Sequence, residues 1–358
     1  VWIPKADGSQ RPIGIAALED KIVQQGLCWV LECIYEEDFL GFSYGFRPGR
    51  KQHDALDALY VAITQRKISW ILDADIKGFF DAIDHEWMMR FLEHRIGDQR
   101  ILRLIRKFLR AGVSEDGEWS KSREGTPQGA VISPLLANIY LHYALDQWVA
   151  KWRKGARGEV YIVRYADDFV MGFQYRDDAE RFRQELEARL GRFKLTLHPE
   201  KTRLIEFGRF AESNRNERGQ GKPESFNFLG FTHLCAKRRS DGKFALKRIT
   251  IRKRMRQKLN QIKEQLRRRM HHPVWKVGRW LRAVVNGYAN YHGIPGNTKA
   301  LSAFRAEICR MWMRVLRRRS QKARILCWDR CRRLFATWIP STRIRHPYPN
   351  QRFSYDSR

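Results

Sequence analysis

No stretch of this 358-residue chain reaches the roughly 18 consecutive apolar residues that a membrane-spanning helix needs. No secretory signal opens it either. It begins at Val1 rather than Met, so a preceding N-terminal segment is expected to have been removed or to lie beyond the sequence given. The six cysteines, at 28, 33, 235, 309, 327 and 331, contain no Cys-x-x-Cys pair. Cys327 and Cys331 stand four apart with no second pair to complete a zinc site. A disulfide framework and a structural zinc are thereby excluded, and all six read as reduced cytosolic thiols. Acidic residues are scarce in one region only. From Lys237 to Arg358 there are 5 acidic against 34 basic residues, a net of +29, whereas residues 1–236 hold 35 basic and 34 acidic, a net of +1. A charge density this lopsided calls for a polyanion, with RNA or DNA first. An anionic membrane surface is the alternative, and the ordinary core-facing stripes of the same region weigh against it.

What is present begins with a hairpin. Val1 to Ile15 reads as strand, Asp7-Gly8 turn and strand, flanked by Lys5 and Arg11. Standing alone these two would be solvated surface cations. Leu18 to Ile34 has helical spacing, Gly41 to Arg50 is a glycine- and aromatic-rich loop, and a helix of about 15 residues starts at His53. Gly125 to Tyr140 is a Gly/Pro-punctuated loop feeding a helix, with Ser133 as N-cap and Pro134 in its first turn. Asp177 to Phe193 is amphipathic, Lys194 to His198 is strand-like, and residues 210–224 read as a polar surface loop. Phe226 to Phe231 is a short strand with a Gly turn. Beyond Lys247, apolar residues 251, 255, 259, 262, 266 and 270 form one stripe on an arginine-rich helix. Two further helices, divided at Asn286–Gly293, complete a bundle, and the Pro- and Arg-containing tail after Ile339 reads as extended. The fold class is α+β, an antiparallel sheet with helices on one face, followed by an all-α basic domain.

Two acidic anomalies interrupt the apolar strands. Asp73 and Asp75 alternate with apolar residues in Trp70–Phe80, so they share one strand face. Asp167 and Asp168 stand together in Val160–Phe173, where two β-branched and aromatic runs meet at a tight turn. Buried uncompensated carboxylates cost several kcal/mol, about enough to make a bound cation the natural remedy. A polar turn is the bland alternative for Asp167 and Asp168. If the two strands are neighbours in one sheet, Asp75, Asp167 and Asp168 converge. Hard oxygen ligands with a watery side suit Mg²⁺. Two such ions about 4 Å apart activate a hydroxyl and neutralise a leaving pyrophosphate. With a polycationic region appended, nucleotidyl transfer is the leading chemistry.

Tyr165-Ala-Asp-Asp168, Asp75-Ile-Lys-Gly-Phe-Phe80, Gly125-Thr-Pro-Gln-Gly129 with Ser133-Pro-Leu135, Leu197-His-Pro-Glu-Lys-Thr202 and Phe228-Leu-Gly230 occur in the order of reverse transcriptase motifs. Together they resemble the reverse transcriptase/maturase encoded by bacterial group II introns, over nearly the whole chain. Gly287-Tyr-Ala-Asn-Tyr291 is similar to that family's thumb, or maturase, domain. The resemblance implies a right-hand polymerase, with fingers and palm over residues 1–236, a helical thumb over 237–340 and a basic tail over 341–358.

The same resemblance assigns residues. Asp75 and Asp167 are the main Mg²⁺ ligands, Asp168 a weaker one, and the Ile76 carbonyl a further oxygen; Asp73 has no matching role. Lys5 and Arg11 grip the triphosphate of the incoming nucleotide, and Gln128 lies by the nascent pair. Phe80 selects deoxynucleotides by blocking a 2′-hydroxyl, with a core aromatic as the alternative. Lys201 protonates or steadies the pyrophosphate, or is simply a solvated lysine. Phe228, Leu229 and Gly230 hold the primer, or pack in a core. Arg164 stands before the hairpin turn as a structural ion-pair partner.

The implied activity is RNA-directed DNA polymerisation from dNTPs, with RNA as template and a DNA primer or target DNA. The implied partner is group II intron RNA, bound in a cytoplasmic ribonucleoprotein of the bacterial cytosol or nucleoid to assist splicing and retromobility by target-primed reverse transcription. The family's N-terminal extension and C-terminal endonuclease region have no counterpart in the sequence, so second-strand cleavage is not expected and priming from an existing DNA end is. The alternatives are a splicing cofactor with incidental polymerase activity, and a domesticated reverse transcriptase serving CRISPR adaptation or phage defence.

Overall fold

The computed structural model describes residues 2–4, 10–12, 14–115, 118–120, 125, 126, 129–238 and 240–352. Lys5 and Gln128 lie outside them. The chain divides into two compact units, residues 1–222 and 223–357.

The first unit opens with β1 (Trp2–Pro4) and β2 (Gln10–Pro12), antiparallel, Ile3 opposite Arg11. Helices α1 (Leu18–Asp38) and α2 (Gln52–Gln65) follow, and then β3 (Trp70–Asp75). Gly78, at φ 56°, ends the chain's extended course and starts the short α3 (Phe79–Ala82). Asp84 caps α4 (His85–Arg95) by accepting from the Trp87 N–H at 2.9 Å. Next come α5 (Gln99–Arg110), the pair β4 (Val113–Glu115) and β5 (Glu118–Ser120), and α6 (Ser133–Leu141), which leads through a π-helical turn at His142–Asp146 into α7 (Gln147–Trp152). Ser133 lies one residue inside α6 rather than at its cap. The unit continues with β6 (Val160–Tyr165), β7 (Asp168–Phe173), α8 (Arg176–Gly191), β8 (Arg203–Glu206) and α9 (Ala211–Glu217).

The sheet order is β6-β7-β3-β8, antiparallel throughout. Leu72, Ala74, Ile162, Phe169, Met171 and Phe173 pack from one face into a core with α4, α6 and α8. Ile71, Val163 and Val170, which alternate with them, are buried as well. Helix α2 packs against β6 and adds none of its buried residues to that core, so the sheet is covered on both faces and not on one. Two other expectations are corrected. The fourth strand is β8, not residues 194–198, of which only Leu197 makes an isolated bridge, to Ile76. Residues 211–217 are helical: α9 is buried only through Ala211, and so minimal an apolar anchor is easily read as loop.

The second unit begins with β9 (Phe226–Phe228), β10 (Phe231–Lys237) and β11 (Phe244–Thr250), ordered β11-β10-β9. β10 and β11 form a hairpin in which His233, opposite Arg248, is wholly buried. Helices α10 (Arg252–Arg268), α11 (Val274–His292), α12 (Thr298–Arg317) and α13 (Trp328–Trp338) share one core. The 286–293 stretch does not separate two helices: α11 runs to His292, because Tyr288 stacks on Phe304 and Tyr291 on Phe231. The tail, described as far as α14 (Pro349–Arg352), is fastened to the bundle. Arg305 donates to the Pro340 carbonyl, Arg345 reaches Asn286 at 2.6 Å, and the Arg345 and His346 amides both donate to the Gly293 carbonyl.

Candidate active site

The β3–β7 ladder sets Asp75 opposite Asp168 and Asp73 opposite Val170, while β6–β7 sets Tyr165 opposite Asp168. Residues directly opposite in an antiparallel ladder point to the same side, their Cβ atoms about 5 Å apart. Asp73, Asp75, Asp168 and Tyr165 therefore share one face, the reverse of the face that packs on α4, α6 and α8. Ala166 and Asp167 form the two-residue turn between β6 and β7. Ala166 has φ 55°, at the first central position, where glycine is usual. Asp168 is exposed and Asp167 half-buried.

Asp75 is clamped from both sides. Its carbonyl accepts the His198 N–H at 2.8 Å, and the Lys77 N–H donates to Thr196 at 2.9 Å. The tight turn that follows, with the Lys201 and Thr202 amides both donating to His198, aims Lys201 back at the sheet. Its ammonium sits 2.9 Å from Asp75 Oδ2. Arg203 lies 3.6 Å from Asp73. Burial pushes the Asp73 carboxyl up to about 6, against the pull of Arg203.

Among the described residues no group of three His, Cys, Asp or Glu side chains closes on a point that would hold a metal ion unaided. The expected convergence of three carboxylates is met by one facing pair, Asp75 and Asp168, with Asp167 next to it in the turn. The donor chemistry still fits a hard cation. The set is all oxygen, Asp168 is open to solvent, and a cationic group already rests on Asp75.

Phe79 is buried against Tyr140 and Phe80, and Phe80 is half-buried. The Phe80 carbonyl accepts the Thr126 N–H and the Ile83 carbonyl that of Gly125, both at 2.8 Å, so the start of the 125–129 segment is tied to α3. Arg11 is placed by its β2 backbone, and Lys5 and Gln128 fall outside the described residues. Phe228, Leu229 and Gly230 lie in the second unit. Leu229 and Gly230, at φ 44° and 83°, are the two-residue turn of the β9–β10 hairpin, and the Tyr291 hydroxyl donates to the Leu229 carbonyl at 2.8 Å. Phe228 is buried. Asp146, Asn138 and Ser43, which no local sequence pattern marks, all bond to Arg164 beneath the turn. The one available signal was an arginine inside an apolar strand.

Three relatives are similar over parts of this chain. Protein YkfC of Escherichia coli (strain K12) is 36% identical over 235 residues, covering 57% of this chain and 62% of that protein. An uncharacterized 91 kDa protein in the cob intron of Schizosaccharomyces pombe is 44% identical over 149 residues, 42% of this chain and 18% of its own. The group II intron-encoded protein LtrA of Lactococcus lactis subsp. cremoris is 43% identical over 150 residues, 42% and 24% respectively. The chain thus spans less than two thirds of each relative's length. The family described as reverse transcriptase (RNA-dependent DNA polymerase) matches residues 3–233, well over half of the 358. With two aspartates facing each other across adjacent strands inside that span, the chain belongs to the reverse transcriptase family.

Proposed function

We propose that this protein is an RNA-directed DNA polymerase that also binds group II intron RNA, assisting splicing and retromobility by target-primed reverse transcription. The observation that carries the reading is the Asp75–Asp168 pair on one sheet face beside the Ala166–Asp167 turn, within a reverse transcriptase match. Divalent ions are general in this family. Here two Mg²⁺ would be held by Asp75, Asp167, Asp168 and the Ile76 carbonyl, and would supply activation of the primer 3′-hydroxyl and charge neutralisation on the pyrophosphate. Lys5 and Arg11 bind the dNTP phosphates, Gln128 sits by the new pair, and Phe80 excludes a 2′-hydroxyl. Lys201, already within reach of Asp75, delivers a proton to the departing pyrophosphate.

Residues 1–236 would carry the fingers and palm, with the Phe228-Leu229-Gly230 turn holding the primer, and residues 237–340 the thumb. The net +29 of residues 237–358 supports RNA binding by the second unit. The resident ribonucleoprotein would work in the bacterial cytosol. Primer extension on an RNA template with Mg²⁺ and dNTPs tests the reading: wild-type protein should extend, and Asp167→Ala should abolish extension. Undiminished synthesis by that variant would overturn it. Splicing retained by Asp167→Ala but lost on charge reversal along α10 would assign the maturase role to the second unit.

A further inference from the structure

Arg164 and Asp146 are both fully buried, at 0% side-chain exposure. The guanidinium spends all five of its N–H groups. Nε and Nη2 bind the two Asp146 oxygens at 2.8 and 2.5 Å. Nη1 donates to Asn138 Oδ1 at 3.0 Å and to the Ala166 carbonyl at 2.9 Å, and Nη2 donates to the Ser43 hydroxyl at 2.7 Å. Four separate pieces of chain meet there. Asp146 is supplied by the π-helical turn, a departure from α-helix that recurs at functional sites. Asn138 comes from α6 and donates onward to the Gly45 carbonyl at 2.7 Å. Ser43 comes from the 41–50 loop, whose Tyr44 amide donates to the Arg164 carbonyl at 2.9 Å. That loop presses on the turn itself, since a Cβ on Gly45 would lie 2.3 Å from the Ala166 nitrogen.

Stability alone does not account for this arrangement. A buried ion pair seldom stabilises more than apolar residues of the same size, because desolvation offsets the attraction. An apolar pair, however, cannot bond to the Ala166 carbonyl. Ala166 has a left-handed backbone, φ 55°, which an L-residue adopts only at a cost, and it directly precedes Asp167. We propose that Arg164 is a positioning residue. From the helix-packed face of the sheet it pins the strained Ala166–Asp167 turn, with Asp146 fixing its orientation and Ser43 and Asn138 bracing it. The affinity of the turn for divalent cations and the turnover rate then depend on a network that touches neither metal nor substrate. This inference rests on the polymerase reading.

The test compares the wild-type chain with Arg164→Leu/Asp146→Leu, which leaves no unpaired buried charge, and with Ser43→Ala, which removes only one acceptor. Thermal melting, Mn²⁺ binding followed by electron paramagnetic resonance, and primer-extension kinetics are measured on each. The double variant should stay folded but melt lower, since the Ala166 carbonyl, Asn138 and Ser43 lose a donor; it should bind Mn²⁺ roughly tenfold or more weakly and lose kcat by a similar factor, as outer partners of metal ligands do. Its KM for dNTP should stay nearly constant. Ser43→Ala should shift the same two quantities in the same direction by less. A folded double variant with wild-type Mn²⁺ affinity and kcat overturns the proposal. Should the double variant fail to fold, unchanged Mn²⁺ binding and kcat in Ser43→Ala overturn it instead. Wild-type protein that neither binds Mn²⁺ nor extends a primer removes the polymerase reading, and this inference with it.

Discussion

Asp75 and Asp168 face each other across the β3–β7 ladder, and the Lys201 ammonium rests on the Asp75 carboxylate. Asp75 is also the member whose peptide is clamped by the 196–198 segment. Asp75→Asn keeps the shape and removes the charge. Primer extension should fall by at least about 10²–10³-fold, the usual cost of losing one preorganised charge-stabilising group. The melting temperature should barely move, because a half-exposed ion pair contributes about 1 kcal/mol at most. Single-nucleotide incorporation, measured alongside a melt, checks both.

Lys201 is 59% exposed, which sets its structural weight low. In Lys201→Ala the single-turnover rate of incorporation should drop roughly 10²-fold, the contribution typical of a positioned general acid. Lys201→Arg preserves the contact with Asp75 but donates a proton poorly, so it should not restore the rate. A wild-type incorporation rate in Lys201→Ala would mark the residue as a surface lysine.

Phe80 is half-buried where Phe79 is wholly so, and its carbonyl anchors Thr126. Truncation to alanine leaves those backbone bonds intact. Phe80→Ala should therefore raise ribonucleotide incorporation relative to deoxynucleotide by about tenfold or more, a steric effect of the size pockets achieve. Phe79→Ala should instead cost stability, roughly 3–5 kcal/mol for a buried aromatic. Competition between dNTP and rNTP at one template position distinguishes the two.

His233 is fully buried and stacked on Phe226, ring centroids 4.7 Å apart. Burial first, and the neighbouring Arg248 second, push its imidazole down to about 3. The unfolded chain therefore binds an extra proton below the ordinary histidine range near 6.5, and stability is lost as the pH falls through it. Between pH 7 and pH 5 this group should remove about 2 kcal/mol. His233→Phe should flatten that part of the pH dependence, as read from denaturant unfolding of the second unit at both pH values.

Much of the site is legible in the sequence because the signals are local. Asp75 and Asp168 disturb apolar strands whose alternation fixes their face, and Asp84 announces its helix by one capping hydrogen bond. What escapes sequence reading depends on distant partners. Arg164 is joined to Ser43 across 121 residues and to Asp146 through a π-helical turn that no periodicity marks. The β10–β11 hairpin was hidden by its lysines and arginines, of which Arg248 is buried rather than solvated. Residues 286–293 look like a break because of their Gly and Asn, and stay helical because ring stacking fixes both tyrosines.

β3 lies in the interior of its sheet, between β7 and β8, with Asp75 at its end. Amide hydrogens on such a strand exchange with solvent only when the surrounding unit opens as a whole. Deuterium uptake should therefore be slowest along residues 71–74 and much faster in the solvent-facing loops, so the strand carrying Asp75 behaves as a fixed anvil. Adjustment during a catalytic cycle falls to side chains and loops, and a chemical or mutational change that loosens β3 would register as unfolding of the first unit before it registered as altered catalysis.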